Sequence, residues 1–269
     1  VADAIGRPAA EAEIETFVRE AAGLKRGPAL DALLPGATRE REIRRIAETY
    51  LHAVKEAAST YRLIRESKGQ APFIVEVSMD ETERPQTPGE LFFILMAISR
   101  EGLPADTIAP KFTGRFNKGI DYAGDVGRFA MEFDEDLAVI EAAKDIFPLK
   151  KTLKLSVHSG SDKFSIYPVI RGSLRKHRAG LHLKTAGTTW LEELIGLAES
   201  DGEGLKIAGS VYAQALERYD ELCGPYQTVL DIDRSRLPAA EEVSGWSGDR
   251  FARALRHDPS SPVYNPHFR

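Results

Sequence analysis

Residues 73–79 read FIVEVSM and run directly into Asp80-Glu81-Thr82-Glu83. A short run of β-branched and apolar residues that closes on polar side chains is the pattern of a buried strand delivering functional groups at its C-terminal end. The same pattern recurs down the chain. TIAPKFT (107–113) is followed by a long glycine-containing, charged loop to Gly127. LKLSVH (153–158) enters Ser159-Gly160-Ser161-Asp162-Lys163. GLHLK (180–184) enters Thr185-Ala186-Gly187-Thr188-Thr189, and residues 228–232 read as a last strand. Amphipathic helical stretches fall between the strands, around residues 91–98, 129–147, 190–199 and 205–222. Alternation of buried strands with helices predicts parallel sheet. No Gly-x-Gly-x-x-Gly turn follows any strand, and no phosphate loop ending in Gly-Lys-Ser/Thr is present, which argues against a dinucleotide-binding sheet. The expectation is an α/β fold of TIM-barrel type, partial because about five strands are read where a full barrel has about eight.

Upstream of this region the chain is helical. Ile14, Phe17 and Val18 share a helical spacing, and a longer stripe runs through Ile43, Ile46, Tyr50, Val54, Ala57, Tyr61 and Ile64. Thr38 is the expected cap of that helix and Gly69-Gln70-Ala71-Pro72 its end. The expected division is a helical segment over residues 1–69 and a barrel-like catalytic region over 70–269.

Composition bounds the partners. Of 269 residues, 42% are apolar and 29% charged, with a net charge of −5 and no basic block. Nothing in that balance attracts nucleic acid or an anionic membrane, and no apolar run reaches the roughly 20 residues that span a bilayer. No secretory leader is evident, and Cys223, the single cysteine, cannot form an intrachain disulfide. A cytoplasmic location and a small-molecule substrate are expected. The start at Val1 and the stop at Arg269 are read as those of a fragment.

The chemistry is expected at the strand ends. Glu76, Ser78 and Asp80 alternate, so they share one strand face. Glu76 and Asp80 are the catalytic carboxylates, with Asp80 nearer the end of the strand and Glu76 deeper, where a Lys or Arg would pair with it. His158 ends a strand ahead of a glycine turn, where imidazole can act as a metal ligand. Asp121 sits in KGIDYAGD (118–125) between two glycines, which permit close backbone approach. A carboxylate and a histidine without thiolates suit Zn, Mn or a similar divalent cation. Lys111, Lys163 and Lys184 lie near three strand ends and together suit a substrate carboxylate. His182 shares parity with Lys184, so both face the interior or neither does. His52 and His177 are read as solvated, the latter in a basic loop, and His257 and His267 as parts of an ordered C-terminal loop.

Five stretches resemble one family. VSMDETERPQTPGELFFI (77–94), APKFTGRFNKGIDYAGD (109–125), LSVHSGSDKFSIYPVI (155–170), GLHLKTAGTTWLEEL (180–194) and HDPSSPVYNPHFR (257–269) are similar to tagaturonate epimerases. The resemblance implies interconversion of D-tagaturonate and D-fructuronate in hexuronate catabolism, with a divalent metal. The inverted carbon is β to the ketone, so enolisation alone cannot invert it, and a retro-aldol route fits. On this reading Asp121 and His158 are metal ligands, Asp80 is an acid or base, and the three lysines and His182 meet the sugar acid. The family also carries an upstream Asp-His pair, and this chain has no Asp-His dipeptide. A metal-assisted aldolase or ketose isomerase is the alternative enzyme, and a non-catalytic sugar-acid binding protein the alternative outside enzymes.

Overall fold

The computed structural model describes residues 4–25, 27–36, 39–80, 82–117, 121–185, 188–224, 230 and 232–268. The expected cap Thr38 and all but residues 230 and 232 of the expected last strand lie outside them. Two compact units divide the chain, one made of Val1–Thr113, Asp125–Val157 and Pro168–His182, the other of Gly114–Gly124, His158–Tyr167 and Leu183–Arg269. No helix among the described residues is long and apolar enough to cross a membrane.

The first unit holds the sheet. Its helices α1 (Glu11–Ala22), α2 (Pro28–Leu33) and α3 (Glu40–Lys68) precede strand β1 (Glu76–Ser78). There follow α4 (Pro88–Arg100), β2 (Thr107–Ala109), α5 (Val126–Ile146), β3 (Lys154–Val157), α6 (Tyr167–His177) and β4 (Leu181–Leu183). The strands lie in the order β1-β2-β3-β4. β1 and β2 run parallel with Glu76 level with Thr107, and β2 and β3 run parallel with Thr107 level with Lys154. The described residues thus hold a parallel sheet of four strands, within the partial α/β arrangement expected. Among the described residues, those before Gly69 form helices and supply no strand, and the four strands fall short of the roughly eight that closure needs. The order without reversal is the one a barrel wall has, and it lacks the switch point of a doubly wound sheet.

Packing explains the helices. The stripe on α3 buries Ile43, Ile46, Tyr50 and Val54, and α1 adds Ile14, Phe17 and Val18. Between α3 and α5, helix α4 buries every residue from Gly89 to Ile98, as a helix apolar on all sides must. Phe129 and Phe133 of α5 stack on each other and meet Phe112, beyond β2. At the N-terminal ends of the strands, Asp106 accepts from the Val75 N–H at 2.9 Å and from Lys150 at 2.6 Å. That clamp ties β1 to the approach of β3. His177 departs from expectation: it closes the last turn of α6, largely buried, with Nε2 3.0 Å from Asp134 on α5. Helix α6 is not among the predicted helices: of its residues only Ile170 is buried, and basic side chains fill its last turn.

The second unit is helical. It contains α7 (Thr188–Glu199), α8 (Gly202–Glu217), α9 (Tyr219–Cys223), α10 (Ala240–Ser244) and α11 (Gly248–Leu255). Leu194, Ile195 and Ala198 of α7 pack with Phe251 and Leu255 of α11. Phe268, near the chain end, joins that core through Tyr212, Trp246 and Phe251.

Helix α4 starts on an ion network around a buried carboxylate. Thr87 caps it, Pro88 takes the first turn, and the fully buried Glu90 accepts from the Thr87 N–H at 2.8 Å, from Arg84 at 2.5 and 3.0 Å and from Arg45 at 2.9 Å. Burial alone would raise the Glu90 carboxyl, but Arg84, the Thr87 amide and Arg45 outweigh it and hold the group below the ordinary glutamate range. Glu90→Gln is expected to cost about 1–3 kcal/mol at neutral pH in denaturant unfolding. Because the folded-state value is depressed, that difference is fully present above the ordinary glutamate value of 4.5 and is lost as pH falls through the depressed one. Equal stability of the two proteins at neutral pH would refute the assignment.

Candidate functional site

The sheet has one apolar face and one polar face. Val77, Ile108, Leu155 and Val157 alternate with Glu76, Thr107, Lys154 and Ser156. On the polar side one residue from each strand joins a hydrogen-bonded row. Thr107 Oγ1 donates to Glu76 Oε2 at 2.8 Å, Glu76 Oε2 lies 2.8 Å from His182 Nδ1, and the same nitrogen lies 3.2 Å from Ser156 Oγ. β1 and β4 are separated by three strand spacings, about 14 Å in a flat sheet. Side chains standing perpendicular to a flat sheet could not close that gap, so the sheet curls towards this face. Ser156 is fully buried, and His182 keeps nearly half of its side chain exposed. The expected deep partner of Glu76 was a Lys or Arg; the partners found are an imidazole and a hydroxyl.

At the C-terminal end of β1, Ser78 Oγ donates to the Asp80 carboxylate. Lys111, just beyond β2, turns its amine to the Thr82 carbonyl at 2.5 Å and the Asp80 carbonyl at 3.4 Å. Its own N–H donates to Gln86 at 2.9 Å. Lys111 thereby pins the loop that carries Asp80. Thus the first unit brings together Glu76 and His182, and separately Asp80 and Lys111.

The second unit holds the other expected residues. Asp121 accepts from the Tyr122 N–H at 2.7 Å, from Ser165 Oγ at 2.9 Å and from the Ser165 N–H at 3.2 Å. His257 Nε2 stands 3.9 Å from the same carboxylate, and the His257 ring stacks on Phe164 at 4.8 Å. His257 belongs to the HDPSSPVYNPHFR motif, but its place beside Asp121 spans more than a hundred residues of chain and no local pattern encodes it. His158 follows β3 directly and is half-buried. The turn after it is strained: Ser159 and Asp162 take φ of 48° and 63°, each at a cost of about 1–3 kcal/mol. Lys163 holds this turn from within. Its side chain is fully buried, and its amine donates to the carbonyls of Asn117 at 2.7 Å and Ser161 at 3.0 Å. Tyr167 donates to the Gly160 carbonyl at 2.6 Å, and the Gly160 N–H donates to Lys184 O at 2.9 Å. Lys184 thus meets the turn through its backbone, with an exposed side chain.

Among the described residues no group of three or more His, Cys, Asp or Glu is arranged to hold a metal ion. Asp121 with His257 supplies an oxygen and a nitrogen, short of the roughly three protein ligands of a catalytic zinc. The described residues do not fit a divalent metal by themselves.

The Asp121 segment depends on two glycines that meet the Tyr122 ring. A Cβ at Gly124 would stand 2.5 Å from the Tyr122 hydroxyl and 3.0 Å from Gly114 Cα, and Gly114 itself has φ of 93°. Gly124→Ala is expected to displace Tyr122 and cost about 1–3 kcal/mol of stability, with a changed near-ultraviolet tyrosine signal. An unchanged midpoint and spectrum would show that the ring is not packed on the glycine.

The comparisons agree on one family. Residues 36–248 match the family model described as UxaE: tagaturonate epimerase. The tagaturonate/fructuronate epimerase of Thermotoga maritima is 32% identical over 205 residues, which is 76% of this chain and 39% of that protein. Native fructuronate-tagaturonate epimerase UxaE from Cohnella laeviribosi superposes with a TM-score of 0.66 at 26% identity, covering 94% of this chain and 50% of that one. The crystal structure of that enzyme with two glycerols gives 0.66 at 22% identity over 100% of this chain and 53% of that one. The chain spans about half the length of these structures and about two-fifths of the Thermotoga protein. With more than three quarters of its residues matched, the chain belongs to the tagaturonate epimerase family.

Proposed function

We propose that this chain carries a large part of the active site of a D-tagaturonate/D-fructuronate epimerase. Membership of the family is the observation that carries the reading. The polar row on the sheet and the polar residues that follow β1 and β3 are the chemistry such an enzyme needs. The sheet order supports a barrel closed by strands beyond the four described.

Inversion at a carbon β to a ketone proceeds by retro-aldol cleavage. A base takes the proton of the hydroxyl on that carbon, whose electron pair becomes a carbonyl. The Cα–Cβ bond breaks, its electrons forming the enolate of the ketone. The aldehyde turns, the enolate adds to its other face, and the new alkoxide regains a proton. No atom is lost and nothing is oxidised. Asp80 is suited to one proton transfer, because Lys111 anchors its loop and Ser78 hydrogen-bonds its carboxylate. The side chain of Lys184, exposed, is the one of the three lysines best available to a substrate carboxylate. Divalent-metal dependence is proposed on the family resemblance, with Asp121 and His158 as this chain's contribution to the ligands and the remainder from beyond the described residues. A cytoplasmic location is proposed with it.

Conversion of tagaturonate to fructuronate, followed by NMR after chelation and after Mn or Zn is restored, tests the reading. Turnover is expected to vanish on chelation and to return with metal. Asp121→Ala and His158→Ala are each expected to lower it by at least about 100-fold. Release of cleavage products in place of the epimer would make the protein an aldolase, and full turnover by metal-free His158→Ala protein would overturn the metal assignment.

A further inference from the structure

The row across the sheet has a direction. An ionised carboxylate only accepts hydrogen bonds, so the 2.8 Å contact between Glu76 Oε2 and His182 Nδ1 requires a proton on Nδ1. Thr107 donates to the same carboxylate oxygen at 2.8 Å, which fixes Glu76 from the neighbouring strand. Glu76 is mostly buried and His182 nearly half exposed. The buried partner therefore holds the imidazole by one nitrogen, in the tautomer whose Nε2 carries a lone pair. A carboxylate placed in this way also stabilises the imidazolium that forms when Nε2 takes a proton.

We propose that His182 is an acid–base residue of the epimerisation and that Glu76 is its positioning residue, acting through Nδ1. This rests on the epimerase reading above. Retro-aldol inversion presents the hydroxyl of the reacting carbon on one side before cleavage and on the other after re-addition. One fixed group cannot serve both positions, so a second proton carrier is needed beside Asp80. His182 Nε2 takes the hydroxyl proton of one epimer as the C–C bond breaks, and as imidazolium it returns a proton when the reaction runs towards that epimer. Ser156, fully buried at 3.2 Å from Nδ1, holds the ring from the third strand.

The wild-type tautomer can be read without any variant. Long-range 1H–15N NMR at about pH 8, where an ordinary histidine is neutral, is expected to show His182 protonated on Nδ1 and bare on Nε2. The missing signal in His182→Gln assigns the ring. Glu76→Leu, which removes the acceptor, is expected to abolish that preference and lower kcat by about 10- to 100-fold with KM changed by less than about threefold. His182→Gln is expected to lower kcat by about 100-fold or more. A wild-type ring protonated on Nε2, or undiminished turnover in either variant, would overturn the proposal while leaving the epimerase reading in place. Absence of any interconversion by the wild-type protein would instead overturn that reading and the inference with it.

Discussion

A glutamate on the first strand of the sheet touches a histidine on the fourth, and the rest of the sheet's architecture follows from that contact. Flat parallel strands would hold these side chains too far apart to bond. The sheet must curl, and the curl turns four strands into a concave wall with Glu76, Thr107, Ser156 and His182 along it. The convex side is apolar and packs against helices, and the concave side is polar. A polar wall is costly inside a protein unless its groups are mutually bonded or used. Here they are bonded in a row that ends on an imidazole still reachable by solvent.

In the first unit, rigidity is concentrated around that wall. Below it, Asp106 ties the strand beginnings to Lys150 and Val75. Behind it, α4 is buried on every side and anchored by Glu90. In the second unit the strained turn after His158 is secured by a lysine with no exposed surface. Lysines are seldom buried without a partner, and Lys163 meets the condition through two carbonyls. The three lysines that look equivalent along the sequence are therefore three different things: Lys111 a tether for a loop, Lys163 an internal brace, and Lys184 an exposed cation.

Much was legible from pattern alone. The four strands, the long helix through Tyr50 and the helices after β2 and β4 show a hydrophobic pattern, and the helix after β1 shows as a continuous apolar run. The shared face of Glu76 and Ser78 follows from strand alternation, and the family from five long motifs. Helix α6 was missed because its period is masked by basic residues, and α10 and α11 because they are short. The partner of Glu76 was expected to be a cation, since parity says which face a side chain takes and nothing about which strand curls towards it. The same limit hid His257 beside Asp121, two groups brought together from distant loops.

The strands, most of the longer helices, the parallel sheet, the polar strand ends and the family are legible from the chain because each is written in local spacing or in contiguous motifs. The sheet's order and curl, the pairing of Glu76 with His182, the burial of Lys163 and the closeness of Asp121 to His257 emerge only from the folded chain. Those depend on contacts between residues far apart in the chain. Local periodicity orients each side chain relative to its own backbone, and only packing sets one backbone against another.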